Sequence, residues 1–115
     1  MKPGRYSMRN KSLATIAILL LAGSAAPSLL FAEDGGALFK SRCSPCHGQD
    51  GSGNTPMGKK LNSRPLGSDE VQEQNDAALS KTISAGKGKM PAFSSKMTSA
   101  EVLEVVKYIR TFAKK

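Results

Sequence analysis

The chain has 115 residues, room for one domain and not comfortably two, and 17 Lys and Arg stand against nine Asp and Glu. Four of the cations, Lys2, Arg5, Arg9 and Lys11, precede any acid, which leaves thirteen cations and nine acids, a balance of +4, for the rest. A charge that modest, with Phe39, Phe93, Tyr108 and Phe112 as the aromatics beyond residue 32 and no Trp, excludes a nucleic-acid-binding surface.

The basic start leads into an apolar run from Leu13 to Ala22 and then small residues from Gly23 to Ala26. That order predicts a secretory signal peptide over residues 1–32, cut after Ala32 where Glu33-Asp34 begins an acidic turn. Leu30 stands where a small residue would suit the cut better, and Leu13 to Ala32 is uncharged and long enough to span a bilayer. The alternative is therefore an uncleaved membrane anchor, against which Gly23, Pro27 and the serines argue. Either way residues 33–115 form one domain outside the cytoplasm, in the periplasm or on the periplasmic face of the membrane.

That domain of about 83 residues is short for a self-sufficient core; at this size only about 60% of the unfolded surface is buried. Such domains need a staple. A disulfide between Cys43 and Cys46 would close almost no loop, so something else must fill the core.

Three helical patterns follow and no convincing strand. The first spans about Gly35 to Cys46, with Ala37, Leu38 and Phe39 on its apolar side and Pro45 helping to end it. From Gly48 to Leu66 the chain is rich in Gly, Pro, Ser and Asn, the composition of an ordered loop. A short turn is expected at Ser68 to Gln74, then a helix from Asn75, its N-cap, to Ala85, stopped by Gly86, with Ala78, Leu79 and Ile83 inside. The last helix is the clearest: Val102, Val105, Val106, Ile109 and Phe112 share one face. Thr98 and Glu101 have capping-box spacing, and Met97 and Val102 occupy staple positions.

Cys43-Ser-Pro-Cys46-His47 carries the chemistry. C-x-x-C-H is the attachment signature of a c-type haem: two thiols two residues apart can each add to one vinyl group, and the next residue presents an imidazole to the iron. The leader, the lack of other cysteines and the single histidine support this reading. A thiol–disulfide pair of the thioredoxin type needs a βαβ pattern that the chain lacks, and a zinc site would be one ligand short unless Asp50 joined it.

The second axial position needs a donor, and the candidates are Met57, Met90 and Met97. Met57 follows His47 by only ten residues and Met97 has its staple role. Met90, between Gly86-Lys-Gly-Lys and Pro91, is the expected ligand, giving the His/Met pair that suits electron transfer. An open iron position would instead mark a haem enzyme or gas sensor.

On these residues the stretch from Gly35 to Lys115 resembles the small monohaem class I cytochromes c, including bacterial and c6-like members. Cys43, Cys46 and His47 match the attachment motif, Met90 the distal methionine, and Gly48-Gln-Asp-Gly-Ser-Gly and Gly88-Lys-Met-Pro-Ala-Phe93 are typical of bacterial members. The resemblance implies an all-α fold of three to four helices around one covalent haem c, its first and last helices crossing at Gly35, Phe39, Val105 and Tyr108. It implies a one-electron carrier rather than an enzyme. Its partners would be redox proteins such as a quinol-oxidising complex, a terminal oxidase or a periplasmic dehydrogenase, with the membrane involved only through an uncleaved leader. Pro56 or a neighbour is expected to bond the second nitrogen of His47.

The haem wall is expected from Leu61, Leu66, Leu79, Ile83, Phe93 and Val106. Lys59, Lys60, Lys87, Lys89 and Lys96 would form a docking patch or simply solvate loops, with Asp69, Glu70, Glu73 and Asp76 on an acidic side.

Overall fold

The computed structural model describes residue 23 and residues 31–114. Apart from residues 23, 31 and 32, the segment expected to be a leader or anchor lies outside the described residues. Within them no helix is long and apolar enough to cross a membrane. The described residues form five helices, and their only β pairing is an isolated bridge between Lys87 and Met90.

Helix α1 runs without a break through an α-helical turn Gly35–Leu38, a π-helical turn Phe39–Cys43 and a final α-helical turn Ser44–His47. Asp34 caps its start by accepting from Gly36 N and Ala37 N. Pro45, expected to end the helix, instead widens it. Its missing N–H leaves the Ser41 carbonyl without its α-helical donor. Ser44 N then bonds Phe39 O, and the Ser44 hydroxyl donates to Lys40 O at 2.5 Å. The true stop is Gly48, at φ 76°. Ala37 lies outside, while Leu38 and Phe39 are fully buried.

The segment expected to be loop contains helix α2, Pro56–Leu61. Thr55 accepts from Gly58 N at 2.8 Å, Pro56 fits the first helical position, and Asn62 closes the helix in the left-handed region at φ 55°. The Thr55 hydroxyl also reaches Pro45 O and Cys46 O, at 2.9 and 3.0 Å, joining α2 to the end of α1. A Cβ on Gly58 would sit 2.2 Å from Cys46 O, so only glycine permits this approach.

Helices α3, Asp69–Gln72, and α4, Asp76–Ala85, follow where turn and helix were expected, with Asn75 Oδ1 accepting from Ala78 N at 2.8 Å. Helix α5, Ser99–Arg110, carries the full capping box between Thr98 and Glu101. Thr98→Ala should lower stability by about 1 kcal/mol, read as a fall of roughly 5 °C in the thermal midpoint.

Helices α1 and α5 cross as expected. A Cβ on Gly35 would lie 2.1 Å from Glu104 O and 3.0 Å from Val105 N, so backbone rests on backbone. Beside that contact the rings of Phe39, Tyr108 and Phe112 pack with centroids 5.2–5.3 Å apart. Arg110 clasps the far end of α5, donating to Gln72 O, Gln74 O and Asp76 Oδ1. The helices thus surround an interior that α1 and α5 close from one side and α4 and the segment after it from the other.

Candidate functional site

Between the helices lies a cavity of about 360 Å³, in the range of sites that hold a small molecule. Cys43, Cys46 and His47 line it from the end of α1, and Met90 lines it from the segment after α4. Among the described methionines, Met57 is half exposed on α2 and Met97 is buried in the core, and neither lines the cavity. Leu61, Leu66, Leu79, Ile83 and Phe93 form apolar wall, as expected. Val106 does not. It is fully buried in the core, and Val105 and Ile109, one turn apart on α5, face the cavity in its place.

Neither cysteine is in a disulfide. Burial pushes the Cys43 thiol up to about 11; Arg42 beside it acts in the opposite sense and Cys46 adds a smaller rise. Cys43 is thus held as a thiol at neutral pH. His47 is shifted the other way: burial disfavours its cation and lowers its pKa, leaving the neutral imidazole that a metal requires. In the unfolded chain His47 takes up its proton near pH 6.5. Its contribution to stability is therefore complete above about pH 6.5 and is lost as the pH falls from there through the lowered value of the folded state. Acid unfolding curves of wild type against His47→Gln should differ in that window.

His47 Nδ1 is buried and has no hydrogen-bond partner. The expected bond to Pro56 or a neighbour is therefore not made. Asp50 is engaged by Ser52, through its backbone N–H at 3.0 Å and its hydroxyl at 2.7 Å, and these bonds lower its pKa. Among the described residues no three His, Cys, Asp or Glu side chains cluster to hold a metal by themselves.

The polar rim is one-signed. Arg42, Arg64, Lys87 and Lys89 line the cavity and no Asp or Glu does. Lys87 and Lys89 were anticipated; Lys59, Lys60 and Lys96 are exposed but stand off the cavity, and the two arginines were missed. Of the expected acidic side, Glu70 pairs with Arg64 and Asp76 with Arg110. Two thiols, a neutral buried imidazole and a thioether around one apolar cavity fit a haem, which would supply the missing core.

This is the architecture of a protein built around one flat prosthetic group held by thiols. The family described as cytochrome C oxidase, cbb3-type, subunit III matches residues 31–109. Cytochrome c6 of Thermosynechococcus vestitus is 32% identical over 104 residues, covering 85% of this chain and 86% of its own. The cbb3-type cytochrome c oxidase subunit CcoP of Azospirillum brasilense is 30% identical over 80 residues, 68% of this chain but only 27% of that subunit. Among solved structures, the c-type cytochrome KustC0563 superposes with a TM-score of 0.66 at 34% identity, covering 70% of this chain and 99% of that one. Cytochrome c6C of Synechococcus sp. PCC 7002 gives 0.53 at 27% identity, over 68% and 93%. The chain belongs to the cytochrome c family, as a monohaem class I domain, and its C-x-x-C pair accounts for one covalent haem c.

Proposed function

We propose that this domain carries single electrons through a haem bound at Cys43 and Cys46 with His47 and Met90 as axial ligands. The observation that carries the reading is that Met90 alone of the described methionines lines the cavity walled by Cys43, Cys46 and His47. When bound, the haem supplies an iron that takes up and releases one electron. The chain does the rest. Cys43 and Cys46 would hold the ring through thioethers, the neutral His47 and the Met90 sulfur would ligate its iron, and Leu79, Ile83 and Phe93 would keep water off it. Fixed ligation leaves no vacant place for a substrate, which favours a carrier over an enzyme. Residues 1–32 act as the export signal in this reading, placing the carrier in the periplasm.

Arg42, Lys87 and Lys89 would steer the cavity edge toward a redox protein with an acidic face, Arg64 being paired with Glu70. The relatives include a c6 carrier and an oxidase subunit, so both a diffusing carrier and a domain docked on an oxidase fit the reading. Electron-transfer rates with an acidic partner should fall about tenfold as salt rises from about 0.05 to about 0.5 M. Salt-independent rates would remove the steering role.

The test of ligation is a visible spectrum of the haem-loaded protein. A sharp low-spin reduced spectrum, with the weak far-red iron–methionine band when oxidised, supports His47/Met90 ligation. A high-spin spectrum that shifts with carbon monoxide moves the assignment to an enzyme or sensor with an open position.

A further inference from the structure

Two walls of the cavity, α1 and the segment that carries Met90, share the apolar core but are joined by one hydrogen bond. The segment that carries Met90 is anchored to α4 by Phe93 N to Ile83 O at 3.0 Å and Ser94 N to Ser84 O at 3.1 Å. It is closed on itself by the reciprocal Lys87–Met90 pair, at 3.0 and 3.1 Å, and by Lys96 N and Met97 N on Phe93 O, both at 2.9 Å. Toward α1, which carries Cys43, Cys46 and His47, a single hydrogen bond is found among the described residues: Arg42 Nη1 donates to Lys96 O at 2.7 Å. Arg42 lies in the π-helical turn next to Cys43 and also lines the cavity.

The geometry points to Arg42 as a latch: its bond to Lys96 O holds the Met90 segment shut against the thiol-bearing helix and so sets how often the distal side opens. Its consequence at the iron rests on the Met90 reading above; the latch itself does not. The bond is charge-assisted but solvent-exposed, so its loss should raise the open population by about fivefold rather than a hundredfold. No oxidant or co-reactant enters; the event is a local opening.

Amide hydrogen exchange on the oxidised haem-loaded protein tests this, comparing wild type, Arg42→Ala and Lys40→Ala. Lys40 is an exposed cation on the same turn, so its loss separates charge from the hydrogen bond. Exchange at the amides of Met90, Lys96 and Met97 should accelerate about fivefold in Arg42→Ala alone, with Val105 and Val106 on α5 unchanged. No acceleration, or equal acceleration in Lys40→Ala, overturns the latch. Imidazole titration of the same samples reads the iron. A matching gain in imidazole affinity joins the latch to Met90 ligation. Faster exchange with unchanged affinity, in a wild type that shows no far-red band, keeps the latch and removes Met90.

Discussion

Met90→Ala is expected to abolish the far-red band of the oxidised protein and to lower the reduction potential by on the order of 0.2 V, within the roughly 0.8 V that axial ligands span. A thioether is a soft, neutral donor and favours the reduced iron. Its loss admits water, a harder ligand that favours the oxidised state. Such a drop corresponds to roughly a few thousandfold in the ferrous-to-ferric ratio at fixed poise. Carbon monoxide and imidazole, excluded while both positions are filled, should then bind readily. The core should survive, because Met90 is only half-buried and its segment is held to α4 through backbone bonds. A redox titration with parallel spectra decides the matter. An unchanged band and potential would assign the sixth ligand elsewhere, and the half-exposed Met57 and core-buried Met97 offer no ready substitute.

The second large effect is on stability. Gly35→Ala places a methyl 2.1 Å from Glu104 O, a backbone atom inside α5 that cannot turn aside. The helices must separate, which loosens the contacts of Phe39 with Tyr108 and Phe112. Overpacking of this kind costs about 3 kcal/mol, or roughly 10–20 °C in the midpoint of a domain this size. Gly88→Ala is the useful contrast. Gly88 has φ +57° but nothing within 4 Å of a new Cβ, so only the backbone preference, about 1 kcal/mol, is at stake. Thermal melts of the haem-loaded variants should rank Gly35→Ala well below Gly88→Ala. Equal midpoints would mean that the crossing yields more easily than its geometry implies.

Much of this was legible because the decisive signals are local. The capping box at Thr98 and Glu101, the N-cap at Asn75 and the stop at Gly86 are each written within a few residues, and the helices begin and end there. The failures have physical causes too. Helix α2 hid in a segment rich in turn-formers, although Thr55 followed by Pro56 is itself a start signal, a capping hydroxyl before a residue that needs no N–H donor. The apolar stripe of α5 is wide enough to bury Val102, Val105, Val106 and Ile109 together, so periodicity marked the inner face but not which of them meets the cavity. The π turn depends on which carbonyl Pro45 leaves without a donor and on the bonds Ser44 makes to Phe39 and Lys40, and the reach of Arg42 to Lys96 spans 54 residues.

The crossing of α1 on α5 also makes closure of the cavity a late event in folding. Cys43 and Cys46 lie in the first of the described helices, whereas Met90, Val105 and Ile109 come later in the chain, and Gly35 has no Glu104 carbonyl to rest against until α5 forms. Until then the cysteines are borne on a chain whose pocket is unfinished, open to whatever delivers the haem. Truncation before Glu104 should therefore leave a chain that still presents both thiols but never shuts.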